Sequence, residues 1–332
     1  MQALTYRKFG PAQEVLSVET LDDPAPAAGE VLVDVHYSGV NPSDVKIRSG
    51  ARPGVTAPPF PVIVPHSDGS GIISAVGDGV DPARIGERVW IWNGQWARAF
   101  GTCAEKIAIP SDQAVALPAG VDLQTAAVLG IPGLTAAQAV FGGGPVAGTD
   151  VLVHGGAGTV GYLAVQLAKW GGAHVIATAR GAGLDRATAA GAAQAIDYSA
   201  SDLAQAILDA NAGKPVATII EVEFGQNAET DTAVIKECGR IAAYGSAKDM
   251  RPELPFGPMM FKAIDLDFIL IYILPLPERR AAIAHLHNAL AQNALSCPIQ
   301  HVFALEDAPH AHEAVEKGGR SGAVLVKMPA AE

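Results

Sequence analysis

VLVHGGAGTVG, residues 151–161, is the stretch that decides the fold. A β-branched run passes through Gly156, Gly158 and Gly161 into a helical pattern that starts at Val160. Glycines at this spacing permit a tight turn, let a pyrophosphate approach the backbone and allow the helix to pack closely on the strand, while the helix N-terminus attracts anionic phosphate. Glycine-rich turns also join strands to helices for purely structural reasons, so the surroundings have to decide. Here they repeat: predicted strands at 151–154, 174–178, 194–196, 218–222 and 240–244 alternate with predicted helices at 160–170, 184–190, 203–211 and 230–238. That rhythm predicts an α/β fold, a doubly wound parallel sheet of the Rossmann kind binding a dinucleotide. Gly156, Ala157, Gly158, Thr159, Val160 and Gly161 are the expected phosphate loop.

The end of the second strand bears on which dinucleotide. An Asp or Glu there would bond the ribose hydroxyls of NAD. The chain instead reads Thr178-Ala179-Arg180, with Arg186 and Tyr198 within reach by sequence, so positive charge and a hydroxyl await a 2′-phosphate. NADPH is the expected cofactor.

Working back toward the N-terminus, EVLVDVHY at 30–37 alternates apolar and polar residues as a strand with one buried face must. Short runs at 63–64, 71–76, 88–91 and 105–109, separated by Pro, Gly and Asp turns, predict further strands of an all-β module. Two domains are therefore expected: a β-rich one at 1–124, completed by about 275–332, and the Rossmann domain at 125–274. In the returning tail, helices at 278–292 and 308–317 precede a strand at 323–327. FILIYILPLP at 268–277 is too short for a bilayer and is broken by Pro275 and Pro277, which predicts a strand buried on both faces.

Composition excludes several classes of function. With 49% hydrophobic and 17% charged residues over 332 positions, the chain folds rather than staying disordered. A net charge of -11 repels nucleic-acid phosphates and anionic lipid, so neither partner is expected. Cys103, Cys238 and Cys297 are odd in number and far apart, which suits a reducing cytoplasm and forms no zinc cluster. MQALTYRKFG at 1–10 carries no apolar core of a secretory signal.

An ordered set of motifs then carries a family resemblance. SGVNPSDVKIRSG at 38–50, PHSDGSGII at 65–73 with Val76-Gly77, GERV at 86–89, IPGLT at 131–135 and the glycine loop follow one another along nearly the whole chain. The chain resembles the zinc-independent quinone oxidoreductases of the zeta-crystallin type, within the medium-chain dehydrogenase/reductase superfamily. The resemblance implies a GroES-like catalytic domain, a Rossmann domain, and hydride transfer from NADPH to a quinone or an α,β-unsaturated ketone, with a homodimer joined edge to edge through the strand after the Rossmann core.

It also implies roles for residues. Asn41 stands where a polar residue lies beside the nicotinamide and is the candidate donor to the acceptor's oxygen; Thr135 stands near its ribose. Gly245 and Ser246 occupy the loop past the fifth strand, Leu270 and Ile271 the backbone facing the carboxamide, and Arg320 the C-terminal contact on the cofactor. Lys46 takes the position of the family's common Tyr and is a candidate proton donor, and Asp44 either orients Lys46 or caps the local turn. Zinc-dependent relatives carry a Cys where Asn41 stands and a His where Ser67 stands, so no metal is expected. His66 alone makes no metal shell, and the tail histidines 285, 287, 301, 310 and 312 read as surface residues. An enoyl-thioester reductase and a non-catalytic NADPH-binding protein share the fold; turnover of NADPH with a simple quinone separates the second from an enzyme.

Overall fold

The structure is a computed structural model that describes residues 1–51 and 54–329. Arg52, Pro53 and the last three residues of the expected returning tail lie outside the described residues. The chain forms two compact units, Met1–Ile131 together with the chain from Cys297 onward, and Pro132–Ser296.

The first unit opens with β1 (Gln2–Thr5), α1 (Ala12–Val15) and β2 (Ser17–Thr20), then β3 (Glu30–Val40), α2 (Pro42–Ser49), β4 (Asp68–Val76), β5 (Arg88–Ile91), β6 (Lys106–Pro110), β7 (Ala114–Ala116) and α3 (Leu123–Ala126). Val31, Val33 and Val35 of β3 face inward, as the alternation requires, onto Ile63, Ile73, Val89, Ile107 and Ile109. The expected strand at 63–64 is only a pair of isolated bridges, from Ile63 to Tyr6 and from Val64 to Phe100. Flanking Pro61 and Pro65 withhold ladder hydrogen bonds on either side.

The second unit contains α4 (Leu134–Phe141), β8 (Asp150–Val153), α5 (Thr159–Trp170), β9 (His174–Ala179), α6 (Gly183–Ala190), β10 (Gln194–Asp197), α7 (Leu203–Ala210), β11 (Val216–Glu221), α8 (Phe224–Val234), β12 (Ile235–Ala243), α9 (Phe256–Phe261), β13 (Asp265–Phe268) and α10 (Leu276–Ala291). Its six strands run parallel in the order β10-β9-β8-β11-β12-β13, with the direction of winding reversing between β8 and β11. Helices on both faces explain why Val151, Leu152 and Val153 form an unbroken apolar run, all fully buried. The helix expected at 230–238 is α8, which begins earlier and gives way at Ile235 to a longer β12.

Two expectations fail here. The 268–277 stretch is not a buried strand: β13 ends at Phe268, a single tight helical turn covers Ile271–Ile273, and Phe268, Leu270, Ile273 and Leu276 are exposed. An apolar run reports a wish for burial without saying what supplies it. Residues 275–296 also differ from the expected division, because Ala282, Leu286 and Ala289 of α10 are buried and the helix packs on α4 of the second unit.

The chain then returns to the first unit as β14 (Ile299–Ala304), α11 (Ala308–Glu316) and β15 (Ala323–Lys327). The first unit's large sheet runs β14-β15-β3-β4-β5-β7, with β6 also pairing β3. No helix among the described residues is long and apolar enough to cross a membrane.

Candidate active site

In the second unit the glycine loop has the conformation its sequence demands. Gly155 takes a left-handed φ of 67°, the Gly156 N–H donates to Thr178 O at 2.9 Å, and Gly158 is the N-cap of α5. A Cβ on Gly161 would sit 2.2 Å from Gly155 O, so only glycine lets α5 start this close to the loop. A Cβ on Gly158 would instead meet nothing nearer than Gly155 O at 3.4 Å, which leaves open space in front of the first turn. The Thr159 hydroxyl there is shielded and has no partner among the described residues, while the first helical N–H groups lack intrahelical acceptors by geometry. Donors around an open space at a helix N-terminus fit a pyrophosphate.

Beneath this loop lies a cluster that the sequence reading did not find. His154, at the end of β8, places Nδ1 3.0 Å from the Thr178 hydroxyl and Nε2 3.0 Å from Asp231 Oδ1, with Glu221 Oε2 at 3.6 Å. All three ionisable residues are buried. Glu221 also accepts from the Glu223 N–H and from Asn227 Nδ2. Burial disfavours a charged His154, yet the two carboxylates outweigh it and push its pKa up to about 9. Burial likewise pushes Glu221 up, partly offset by His154. These are the only His, Cys, Asp or Glu side chains among the described residues grouped closely enough to hold a metal ion. Their signal in the sequence is a charged residue closing each of two apolar strands, VLVH and ATIIE.

Thr178 is therefore committed inward, to His154 and to the Gly155 N–H, rather than to a ligand hydroxyl. Arg180 follows β9 on the exposed surface, and its charge, after the hydrogen bonds from Ser199, helps hold the Asp197 carboxyl below its usual range. Tyr198 is about half exposed and lines a cleft of about 470 Å³ together with Thr178, Glu223, Asn227 and Lys248. Arg186 donates from Nε to Ala157 O and lies 4.5 Å over the Tyr162 ring, while its Nη2 has no hydrogen-bond partner among the described residues. Ser246 Oγ accepts from the Gly225 N–H at 2.9 Å and donates to Asp249 O, and a Cβ on Gly245 would strike Val222 O, so this pair ties together the loops after β11 and β12. Thr135 is buried on α4. Leu270 is exposed, whereas Ile271 is buried and its carbonyl accepts from Arg279 and the Leu274 N–H.

In the first unit Asn41 is the N-cap of α2 and only 6% exposed. Its N–H donates to Asp44 Oδ2 at 2.7 Å and its Nδ2 donates to Asp68 Oδ2 at 2.7 Å. Of the two roles open to Asp44, the structure gives capping: Lys46 lies two residues on, on an exposed part of the helix, and residues at that spacing do not face each other. Burial pushes the Asp44 carboxyl up to about 7, and pushes Asp68 well above the usual carboxylate range. Arg320 is half-buried after α11. His312 overturns the surface expectation for the tail histidines: it is buried with its Nε2 2.9 Å from Nε2 of the buried His66, whose Nδ1 meets Ser38 Oγ.

A parallel sheet of this strand order, with its glycine loop, next in sequence to a β-rich unit that the C-terminal strands complete, defines a medium-chain dehydrogenase/reductase. Residues 27–119 match the family model "Alcohol dehydrogenase GroES-like domain" and 159–286 match "Zinc-binding dehydrogenase". Rat quinone oxidoreductase is 30% identical, over 99% of this chain and 98% of its own. The structure of Escherichia coli quinone oxidoreductase complexed with NADPH matches 98% of this chain and 100% of that one at 26% identity, with a TM-score of 0.85. A solved NAD-dependent alcohol dehydrogenase, also 26% identical, matches 99% of this chain and 100% of its own with the same TM-score, so fold alone does not choose the cofactor. The chain belongs to the quinone oxidoreductase family.

Proposed function

We propose that the protein is a cytoplasmic NADPH-dependent reductase that passes hydride to a quinone or an α,β-unsaturated carbonyl without zinc. The observation that carries this reading is the second unit's phosphate loop combined with Arg180, in place of an acid, after β9. Names of relatives agree: quinone oxidoreductases of rat and E. coli, the latter solved with NADPH. Bound at that loop, the cofactor supplies the hydride. The first turn of α5 would hold the pyrophosphate and Arg180 the 2′-phosphate, with Tyr198 adding a neutral contact. Asn41 would donate its remaining Nδ2 proton to the oxygen on which charge develops. Thr135, Gly245, Ser246, Leu270, Ile271 and Arg320 are proposed as further contacts along the cofactor, and Lys46 or solvent as the source of the proton.

Support for a zinc-free reaction comes from chemistry at two positions, since Asn41 and Ser67 offer an amide and a hydroxyl where thiolate and imidazole would be needed. Three unpaired cysteines suit the cytoplasm. The test is direct: protein dialysed against EDTA should oxidise NADPH with a simple quinone at the undialysed rate. Activity lost on dialysis and restored by zinc would reject the zinc-free reading; no turnover with any quinone or enone would reject the reductase.

Arg180→Ala should raise KM for NADPH about ten- to a hundredfold, the worth of one charge-assisted hydrogen bond to phosphate, and leave KM for NADH nearly unchanged. Steady-state kinetics with both cofactors check it. A preference that survives the substitution moves the phosphate contact to Arg186 or Tyr198.

We also read the protein as a homodimer. β13 is an edge strand of the parallel sheet, and beside it Phe261 (84%), Phe268 (68%) and Ile273 (64%) are exposed, more apolar surface than an edge facing water usually tolerates. Light scattering at micromolar concentration should give twice the chain mass of 34.1 kDa, and a monomer mass there rejects the dimer.

A further inference from the structure

The Asn41 amide nitrogen carries two protons, and only one of them is free for an acceptor. The other is donated to Asp68 Oδ2 at 2.7 Å, from a residue that is itself nearly buried to one that is completely buried at the start of β4. The Asp68 side chain sits in a seat cut to its size. A Cβ on Gly39, its neighbour across β3, would fall 3.0 Å from Asp68 Cβ and 2.5 Å from Ala127 O, and a Cβ on Gly130 would fall 2.3 Å from Asp68 Oδ1. Oδ1 is buried without a close side-chain partner among the described residues, and the Ile131 backbone N–H is the one further donor directed at the carboxyl. No cation among them pairs with this carboxyl, and the charged group nearest in effect is the like-charged Asp44, which holds the Asn41 backbone N–H from the other side. A buried carboxyl without a cation is costly unless it does something the fold needs or the site uses.

We propose that Asp68 is a positioning residue for the reaction, acting through Asn41: by accepting one Nδ2 proton it fixes the plane of the amide and aims the second proton at the acceptor's oxygen. This rests on the role proposed above for Asn41. Burial and the neighbouring Asp44 raise the Asp68 pKa, and an oxygen of the carboxyl accepts the bond with or without a proton on the group. Acceptance at Oδ2, rather than negative charge, is thus the property that matters. Asp68→Asn keeps an accepting oxygen; Asp68→Leu keeps nearly the same shape and loses it.

The experiment is a set of variants measured with NADPH and a simple quinone, each first shown to be folded by its Tm. Asp68→Leu should lower kcat about 10- to 100-fold, the cost of a misaligned group, and leave KM for NADPH unchanged. Asp68→Asn should restore most of the loss. The pair Asn41→Ala with Asp68→Leu should be no slower than Asn41→Ala alone, because Asp68 has no other route to the reaction. A wild-type kcat in folded Asp68→Leu, an Asn variant no better than the Leu variant, or additive losses in the pair would each overturn the proposal. An Asn41→Ala variant with full activity would overturn it together with the role of Asn41, leaving quinone reduction itself standing. A readout independent of turnover is the Asn41 side-chain amide in NMR: one of its two protons should be shifted downfield and slow to exchange in the wild type and lose both features in Asp68→Leu. Should the wild type oxidise no NADPH, that signal still decides whether Asp68 holds Asn41, and its absence overturns the proposal.

Discussion

Asn41→Ala will lower kcat for NADPH-dependent quinone reduction about 100- to 1,000-fold, the range seen when a single preorganised donor to a developing oxyanion is removed. The size follows from the role proposed for Asn41 and from its setting: it is nearly buried, its backbone is pinned by Asp44 and its side chain by Asp68, so a donor held there needs no reorganisation. Binding of the cofactor at the glycine loop of the other unit should be untouched, so KM for NADPH stays put while kcat falls. Stopped-flow measurement of NADPH oxidation checks the chemical step, and a loss confined to KM would place Asn41 in binding alone.

His154→Leu should cost about 3–5 kcal/mol, because Glu221 and Asp231 are then left as buried charges without their cation. For a unit of this size that corresponds to a fall in Tm of roughly 6–20 °C. The sign of the pH dependence is fixed as well. A pKa near 9 in the folded protein against an ordinary 6.5 means that the native state binds the His154 proton more tightly. The stabilisation from this residue is therefore complete below about pH 6.5 and is lost as pH rises through 9. Glu221, also raised, contributes in the same direction. Calorimetry at about pH 6, 7.5 and 9 should show the wild type losing stability over this range, and the deficit of His154→Leu should shrink toward pH 9, where the wild type gives up the His154 proton. A pH-independent deficit would mean that lost packing, not lost charge, is responsible.

Legibility in the sequence followed the range of the interactions. The strands and helices of the second unit could be read because each announces itself locally, through apolar runs, periodic helices and the glycine spacing at 156–161. The two-residue segment 63–64 could not, since only its bridging partners Tyr6 and Phe100 say whether it joins a sheet. The 268–277 run was misread for a related reason, its hydrophobicity being visible in the sequence but not the exposure in which the fold leaves Phe268, Leu270, Ile273 and Leu276. Asn41 stood out through the surrounding motif, yet its partner Asp68 did not, because β3 and β4 bring the two together across a long loop. His154, Glu221 and Asp231 meet only because β8 and β11 are neighbours in a parallel sheet, a pairing that no local pattern specifies.

The first unit is made from two separated pieces of chain, and β15 pairs with β3, with Val324 opposite Val40 and Lys327 opposite Tyr37. On the ribosome this sets a timetable. Residues 323–327 emerge only after the whole of the second unit, whose sheet is continuous in the chain and can close as soon as it is clear of the exit tunnel. Until then residues 37–40 of β3 present an open backbone edge and the core beside them lacks Val324 and Val326. The inserted unit is the loop that separates the late strand from its early partner, so the order of completion is guest first and host second.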